Sequence, residues 1–446
     1  MNSRETREWL HSWNASEFLH EQRDMGRAKF PPARMEKYAS DHRRVAALLE
    51  NDAVGAQDLR LARMLETITA PLATLLTNPV PRYYSYTGVS VLDEFIDGER
   101  VDLDAQKCLC VLGIRGLMLE IARFETHSLV GIEPWSKDRF DEEEAARRLK
   151  VLARQFEAIA YLAKIVQIPE ASLAQAGSQQ YELLDAYCRE DPQLSAVVQF
   201  TCIPRTTFHD EVLFLRTIAE DELCFKGMYL AARQAGEAIE RGLLNSAAYF
   251  ISQAVAFAVM LHESFRVLQS MPPEHFADFR DATGEASAVQ SFNYQRLDVA
   301  LFGLNSEKIS VYQRVPHLRS LLNFSSRQFA SLRTLLQSLN GESKGSEMII
   351  EAARLLDRHL LSWRGLHLSF ALRYLPEAAM GTGGTAGPSY LQKFFRQSLF
   401  ADTEPDFGLI EEIFGTSWRV EEIFRAHPGT RIAPPEKLWA RAGRNG

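Results

Sequence analysis

His367 lies in the run Trp363-Arg364-Gly365-Leu366-His367-Leu368-Ser369-Phe370-Ala371-Leu372-Arg373. Helical spacing aligns Trp363, His367, Ala371 and Tyr374 along one stripe, which sets an imidazole in an otherwise apolar face. Such a residue is either a core histidine with a satisfied hydrogen bond or one that faces a ligand. If it binds a metal, one neutral imidazole in an apolar helical pocket suits the iron of a heme better than zinc, which takes three or four protein ligands. Further on, Gly381-Thr382-Gly383-Gly384-Thr385 and Gly387 put four glycines within seven residues. They oppose helix continuation and offer backbone donors, with the hydroxyls of Thr382 and Thr385, to a carboxylate or amino group; the plain alternative is a turn before Tyr390. Neither a dinucleotide fingerprint nor a Walker motif is present at this site. His262-Glu263 lacks the second histidine of a zinc-protease motif, and His209-Asp210-Glu211 reads as an ion-rich helix start with a solvated first turn.

The elements that must position these residues are helices. Long runs carry apolar residues three and four apart, and almost nothing alternates over strand length, so the fold class is all-α. Helices are expected over 107–131, 142–166, from Phe208 onward, 245–271, 288–303 and 346–375. The third of these buries Phe214, Ile218, Phe225 and Met228 on one face, with charged residues on the others. It forms an antiparallel pair with the fourth, for which Ser246 is the candidate N-cap. The turn-rich passage from Asn78 to Gly88 links helices and carries aromatics able to pack. A soft boundary near 168–195 divides a helical N-terminal region, 1–190, from a helical domain, 191–446.

Fifty Lys plus Arg against 58 Asp plus Glu give a net charge of −8, which disfavours a general nucleic-acid binder. Five cysteines, with no CxxC or CxxCH spacing, fit a reducing compartment. The N-terminus lacks the apolar core of a secretory signal, and apolar runs such as Ala254 to Leu261 fall short of the roughly 20 residues that span a bilayer. A cytoplasmic protein without membrane contact is expected.

Taken together, several segments resemble the tryptophan 2,3-dioxygenase and indoleamine 2,3-dioxygenase superfamily of histidine-ligated heme enzymes. They are His209-Asp210-Glu211-Val212-Leu213-Phe214 continuing to Glu222-Leu223-Cys224-Phe225-Lys226; Gln290-Ser291-Phe292-Asn293-Tyr294; and Trp363-Arg364 through His367 and Arg373, followed by the glycine loop and Ser389-Tyr390-Leu391. Order and spacing fit over roughly 208–395, while the residues before about 190 match nothing assignable. The resemblance implies a large helical bundle around heme b (iron protoporphyrin IX), with an additional helical N-terminal region. His367 would be the proximal iron ligand, with Trp363, Arg373 and Gly381 at the cofactor. Phe214, Thr217, Ile218, Gln295, Arg296, Thr382 and Gly383 would surround the substrate, and no side chain is singled out as a catalytic acid, base or nucleophile. The implied reaction uses dioxygen to oxidise an indole or related aromatic substrate by 2,3-ring cleavage. The alternatives are a monooxygenase or oxidative-rearrangement enzyme of specialised metabolism and a non-catalytic heme-binding protein; a homo-oligomer is left open.

The chain also departs from the family pattern. Ile218 stands where tryptophan dioxygenases carry a distal histidine, and it cannot hydrogen-bond; the Thr217 hydroxyl would reach the site only on a slightly rotated helix. The family's carboxylate-binding arginine aligns with Gln295, and Arg296, one residue on, points about 100° around the helix. If Arg296 does not reach the pocket, a neutral, decarboxylated or larger substrate is implied. Cys224 replaces a family tryptophan and reads as a small buried hydrophobe.

Overall fold

The computed structural model describes residues 3–51, 54–56, 58–98, 102–132, 138–168, 197–325, 330–339, 343–375, 388–395 and 397–400. The fold is all-α. The helices are α1 (Ser3–Ser12), α2 (Ala15–Met25), α3 (Pro32–Glu50), α4 (Leu59–Thr77), α5 (Tyr83–Thr87), α6 (Ser90–Asp97), α7 (Leu103–Leu129) and α8 (Glu142–Val166), followed by α9 (His209–Glu240), α10 (Leu244–Leu268), α11 (Pro273–Arg280), α12 (Phe292–Phe302), α13 (Ile309–Arg314), α14 (Leu332–Ser338), α15 (Lys344–Tyr374) and α16 (Pro388–Phe395). Among the described residues the only β pairing is an isolated bridge between Asp138 and Phe208.

The expected antiparallel pair is α9 with α10. A three-residue connection reverses the chain: Gly242 takes a left-handed φ of 70°, and the amides of Gly242 and Leu243 bond back to the Ile239 and Ala238 carbonyls at 2.9 and 2.8 Å. The two helices approach closely at Gly227, where an added Cβ would lie 2.3 Å from the Phe257 ring. Helix α10 starts at Leu244, so Ser246 sits inside the first turn and is not its cap. It is long and apolar enough to cross a bilayer by composition, yet most of it is buried inside the fold as a core helix. On one side of the pair pack α7 and α8, from the N-terminal region; α15 packs against α10, and α12 against α9. Side-chain caps fix several starts: Asp102 accepts from the Ala105 amide, Asp141 from Glu144 and Ser291 from Tyr294.

One expectation about α9 is overturned. Its charged faces were expected in solvent, and its first turn solvated, but His209, Asp210, Glu211, Glu220, Glu222 and Lys226 are all buried. Helices α6, α7 and α8 cover those faces, and the charges find partners from distant segments. Arg148 pairs with Glu125 and Asp210, and Lys226 with Asp93 and Asp97 at 2.8 and 2.7 Å. Glu211 accepts from the backbone amides of Arg205 and Thr206.

Candidate active site

A cavity of about 280 Å³ lies among α5, α9, α10, α11, α12, α15 and α16. Trp363, His367 and Ala371 of the predicted stripe all border it, and Phe265 of α10 stands opposite. The His367 ring lies 5.5 Å, centroid to centroid, from both Phe265 and Trp363. It sits deep in the fold but is only half-buried by surface, because the ring is turned toward the cavity. No described residue hydrogen-bonds to it. Burial alone pushes its pKa down to about 4, so the imidazole is neutral and its lone pair is available. The neighbouring Trp363 indole N–H is buried without a partner among the described residues.

Helix α9 forms the next wall through Phe214, Ile218, Asp221 and Phe225. The Phe214 ring packs 5.4 Å from Phe276 and 5.5 Å from Phe279, both on α11. From α12 come Tyr294 and Gln295; Tyr294 completes an aromatic triangle with Phe225 (5.2 Å) and Trp363 (5.8 Å). Lys308 also borders the cavity, its ammonium paired with Asp298 at 2.9 Å.

The other expected site residues are turned away, already engaged or outside the described residues. Thr217 is fully buried and its hydroxyl donates back to the carbonyls of Leu213 and Phe214, so the helix register turns it away from the cavity. Gln295 borders the cavity, but its amide is already engaged, donating to the Val289 carbonyl and accepting from the Tyr312 hydroxyl, each at 3.0 Å. Arg296 does not border this cavity. One step around α12, it lies over the Tyr229 and Phe292 rings at 4.4 and 5.5 Å and faces a second, much smaller cavity of about 40 Å³. Arg373, six residues past His367 and so on the far side of α15, is exposed and reaches the Gln269 carbonyl at 3.4 Å. Gly381, Thr382 and Gly383 lie outside the described residues.

The sequence reading missed a wall supplied by the N-terminal region. Tyr83, Tyr86 and Thr87 of α5 border the cavity beside Phe214. Buried Arg27 pins this short helix by donating to the Ser85 and Tyr86 carbonyls, and it reaches the Ile203 carbonyl as well. The Tyr83 hydroxyl donates to Glu222 at 2.6 Å, and the Asn293 amide donates to the other Glu222 oxygen at 2.9 Å. The aromatic run from Asn78 to Gly88 was the available signal. For Asp221 it was an acid on the apolar stripe, between Ile218 and Phe225.

Among the described residues no group of three or more His, Cys, Asp or Glu side chains gathers as a metal site. The donor set at the cavity is a single neutral imidazole among aromatic rings, which fits an axial ligand to the iron of a flat apolar macrocycle. Comparison with known proteins points the same way. The family profile described as tryptophan 2,3-dioxygenase matches residues 167–340. The chain is 24% identical over 230 residues to a tryptophan 2,3-dioxygenase of Bacillus anthracis, covering 44% of this chain and 82% of that protein. The corresponding values are 25% over 236 residues, 45% and 83%, for that of Pseudomonas fluorescens, and 26% over 238 residues, 45% and 82%, for that of Shewanella woodyi. The profile match begins after α5 and ends before His367, so the Tyr83–Thr87 wall and the imidazole are observations independent of it.

Proposed function

Because the chain is a divergent member of the tryptophan 2,3-dioxygenase superfamily, we propose that it is a heme-dependent oxygenase using dioxygen to oxidise an indole or related aromatic substrate. The observation that carries this reading is the neutral His367 imidazole, without a hydrogen bond from any described residue and turned into an aromatic-walled cavity. His367 would hold the iron, with Trp363 and Phe265 packed against the imidazole. We propose heme b as the cofactor, as the family resemblance implies; a non-covalently held heme needs no CxxCH attachment pattern, and the sequence has none. The heme supplies the oxygen chemistry; the protein supplies orientation and a dry enclosure.

Phe214 and Ile218 present an apolar wall to an aromatic ring, and Tyr86 with Phe276 closes it on either side. Water is excluded by these side chains, and the substrate is held by shape. Thr382 and Gly383 are proposed to meet its polar end, with Gly381 beside the cofactor. Arg296 faces away, so the α12 wall offers a substrate carboxylate no arginine fork. On that α12 position we propose a neutral, decarboxylated or enlarged indole in preference to free tryptophan; Arg280 of α11 and Arg364 of α15 also border the cavity and are the cations a carboxylate would have to use instead. The relatives' reaction supports two-atom insertion with ring opening; one-atom insertion is the second reading, favoured by the purely apolar Ile218 in the α9 wall. The described cysteines are all free and buried, in keeping with a cytoplasmic enzyme.

The test is a screen of indoles against the heme-loaded protein under labelled dioxygen. Two labelled oxygen atoms in a ring-opened product are expected. No substrate-dependent oxygen consumption across the screen would reduce the protein to a heme binder.

A further inference from the structure

The walls around the cavity are mostly apolar, and of the few charged groups among the described residues that border it, Asp221 is the one acid. Asp221 is the third member of the α9 face that begins with Phe214 and Ile218 and continues to Phe225, and it is 8% exposed. Its Oδ1 is buried without a hydrogen-bond partner among the described residues. Among the described residues no cation pairs with it, and the one polar side chain that acts on its carboxyl as a donor is the neutral Ser264 hydroxyl of α10. Its neighbours in sequence are engaged: Glu220 accepts from Gln155, and Glu222 from Tyr83 and Asn293. A carboxyl group left with open valences in an apolar enclosure is costly unless a ligand completes it.

We propose that Asp221 is a specificity-determining residue that receives a nitrogen-borne hydrogen of the substrate, the ring N–H of an indole or an equivalent aromatic amine. Its place on the same face as Phe214 and Ile218 puts the acceptor beside the wall against which the aromatic ring packs. The proposal rests on the oxygenase reading for the class of ring, but the recognition itself needs only the cavity. Burial pushes the Asp221 pKa well above the ordinary carboxylate range. A hydrogen bond accepted from the substrate offsets part of that burial cost. A substrate with an ether oxygen in place of the N–H would set two acceptors against each other.

The test is titration of the full chain, reconstituted with heme, with indole and with its ether isostere benzofuran, read by calorimetry. The wild-type protein is expected to prefer indole by about tenfold or more, the scale of one well-made buried hydrogen bond. Asp221→Ala should bring the two affinities to within about twofold, and Asp221→Asn, which keeps an acceptor oxygen, should restore part of the preference. Equal affinities in the wild-type protein, no binding of indole, or a preference unchanged in both variants would overturn the proposal. Heme content, read from the Soret band of each sample, separates the two readings. A protein that takes up no heme yet discriminates through Asp221 fails as an oxygenase and keeps this inference. A heme-loaded protein blind to the exchange does the reverse.

Discussion

At the start of α9, Asp210 lies 2.9 Å from Arg148 and 2.8 Å from His275, and Glu211 takes two backbone amides; three turns later Glu220, Asp221 and Glu222 are as deeply buried but meet only neutral groups. Burial works against the charge in both places. At Asp210 the Arg148 guanidinium and the bonds from His209 and His275 outweigh it, and the carboxyl stays ionised far below its ordinary range. At the second cluster burial wins, pushing Glu220 up to about 8 and Glu222 up to about 7. The paired cluster ties α7, α8 and α11 to α9 and borders neither of the two cavities described above. The unpaired one touches the cavity through Asp221 and the α5 wall through Tyr83. Same residue types on one helix thus serve as scaffold where cations meet them and as site where none do.

The comparison breaks most visibly if the cation is removed. Arg148→Met leaves Glu125 and Asp210 buried without their guanidinium, and a loss of about 3–5 kcal/mol is expected, measured by urea unfolding. A smaller and opposite effect is expected at the second cluster. Glu222 binds its proton more tightly in the folded chain than in the unfolded one, so its contribution to stability is full below the ordinary carboxylate range and declines as pH rises toward about 7. Glu222→Gln should flatten that decline by about 1–3 kcal/mol between pH 4.5 and 7.5. Asp210 runs the other way, its stabilisation lost as pH falls through and below the ordinary carboxylate range. Parallel pH profiles for the wild-type protein and Glu222→Gln would contradict the distinction. The least effect belongs to exposed Arg373: Arg373→Ala should shift stability by no more than about 0.5 kcal/mol and leave heme uptake unchanged, checked by thermal melts and Soret titration.

Much of this was legible in the residues. The 3.6-residue apolar period located α7 to α10, α12 and α15, and the stripe through Trp363, His367 and Ala371 identified the imidazole that borders the cavity. The gap-free placement of Gln295 and the 100° offset of Arg296 also carried into three dimensions, one facing the cavity and the other turned from it. What local pattern could not show is which polar faces are covered. His209 to Glu211 has the composition of a solvated helix start, and the partners that let Asp210 be buried, Arg148 and His275, lie many residues away on either side. The same holds for Tyr83 and Tyr86, whose place at the cavity depends on Arg27 bridging α5 to the chain near Ile203. Thr217 differs for a local reason: its hydroxyl is satisfied by its own helix, which no count of apolar positions reveals.

The central claim is that His367 is the iron ligand of a heme enclosed by these walls. It is tested most directly by titrating hemin into the wild-type protein and into His367→Ala and recording the Soret band. The account predicts a stoichiometric, histidine-ligated spectrum for the wild-type protein and its loss in the variant, with far-ultraviolet circular dichroism unchanged. An identical Soret spectrum in both proteins would contradict it.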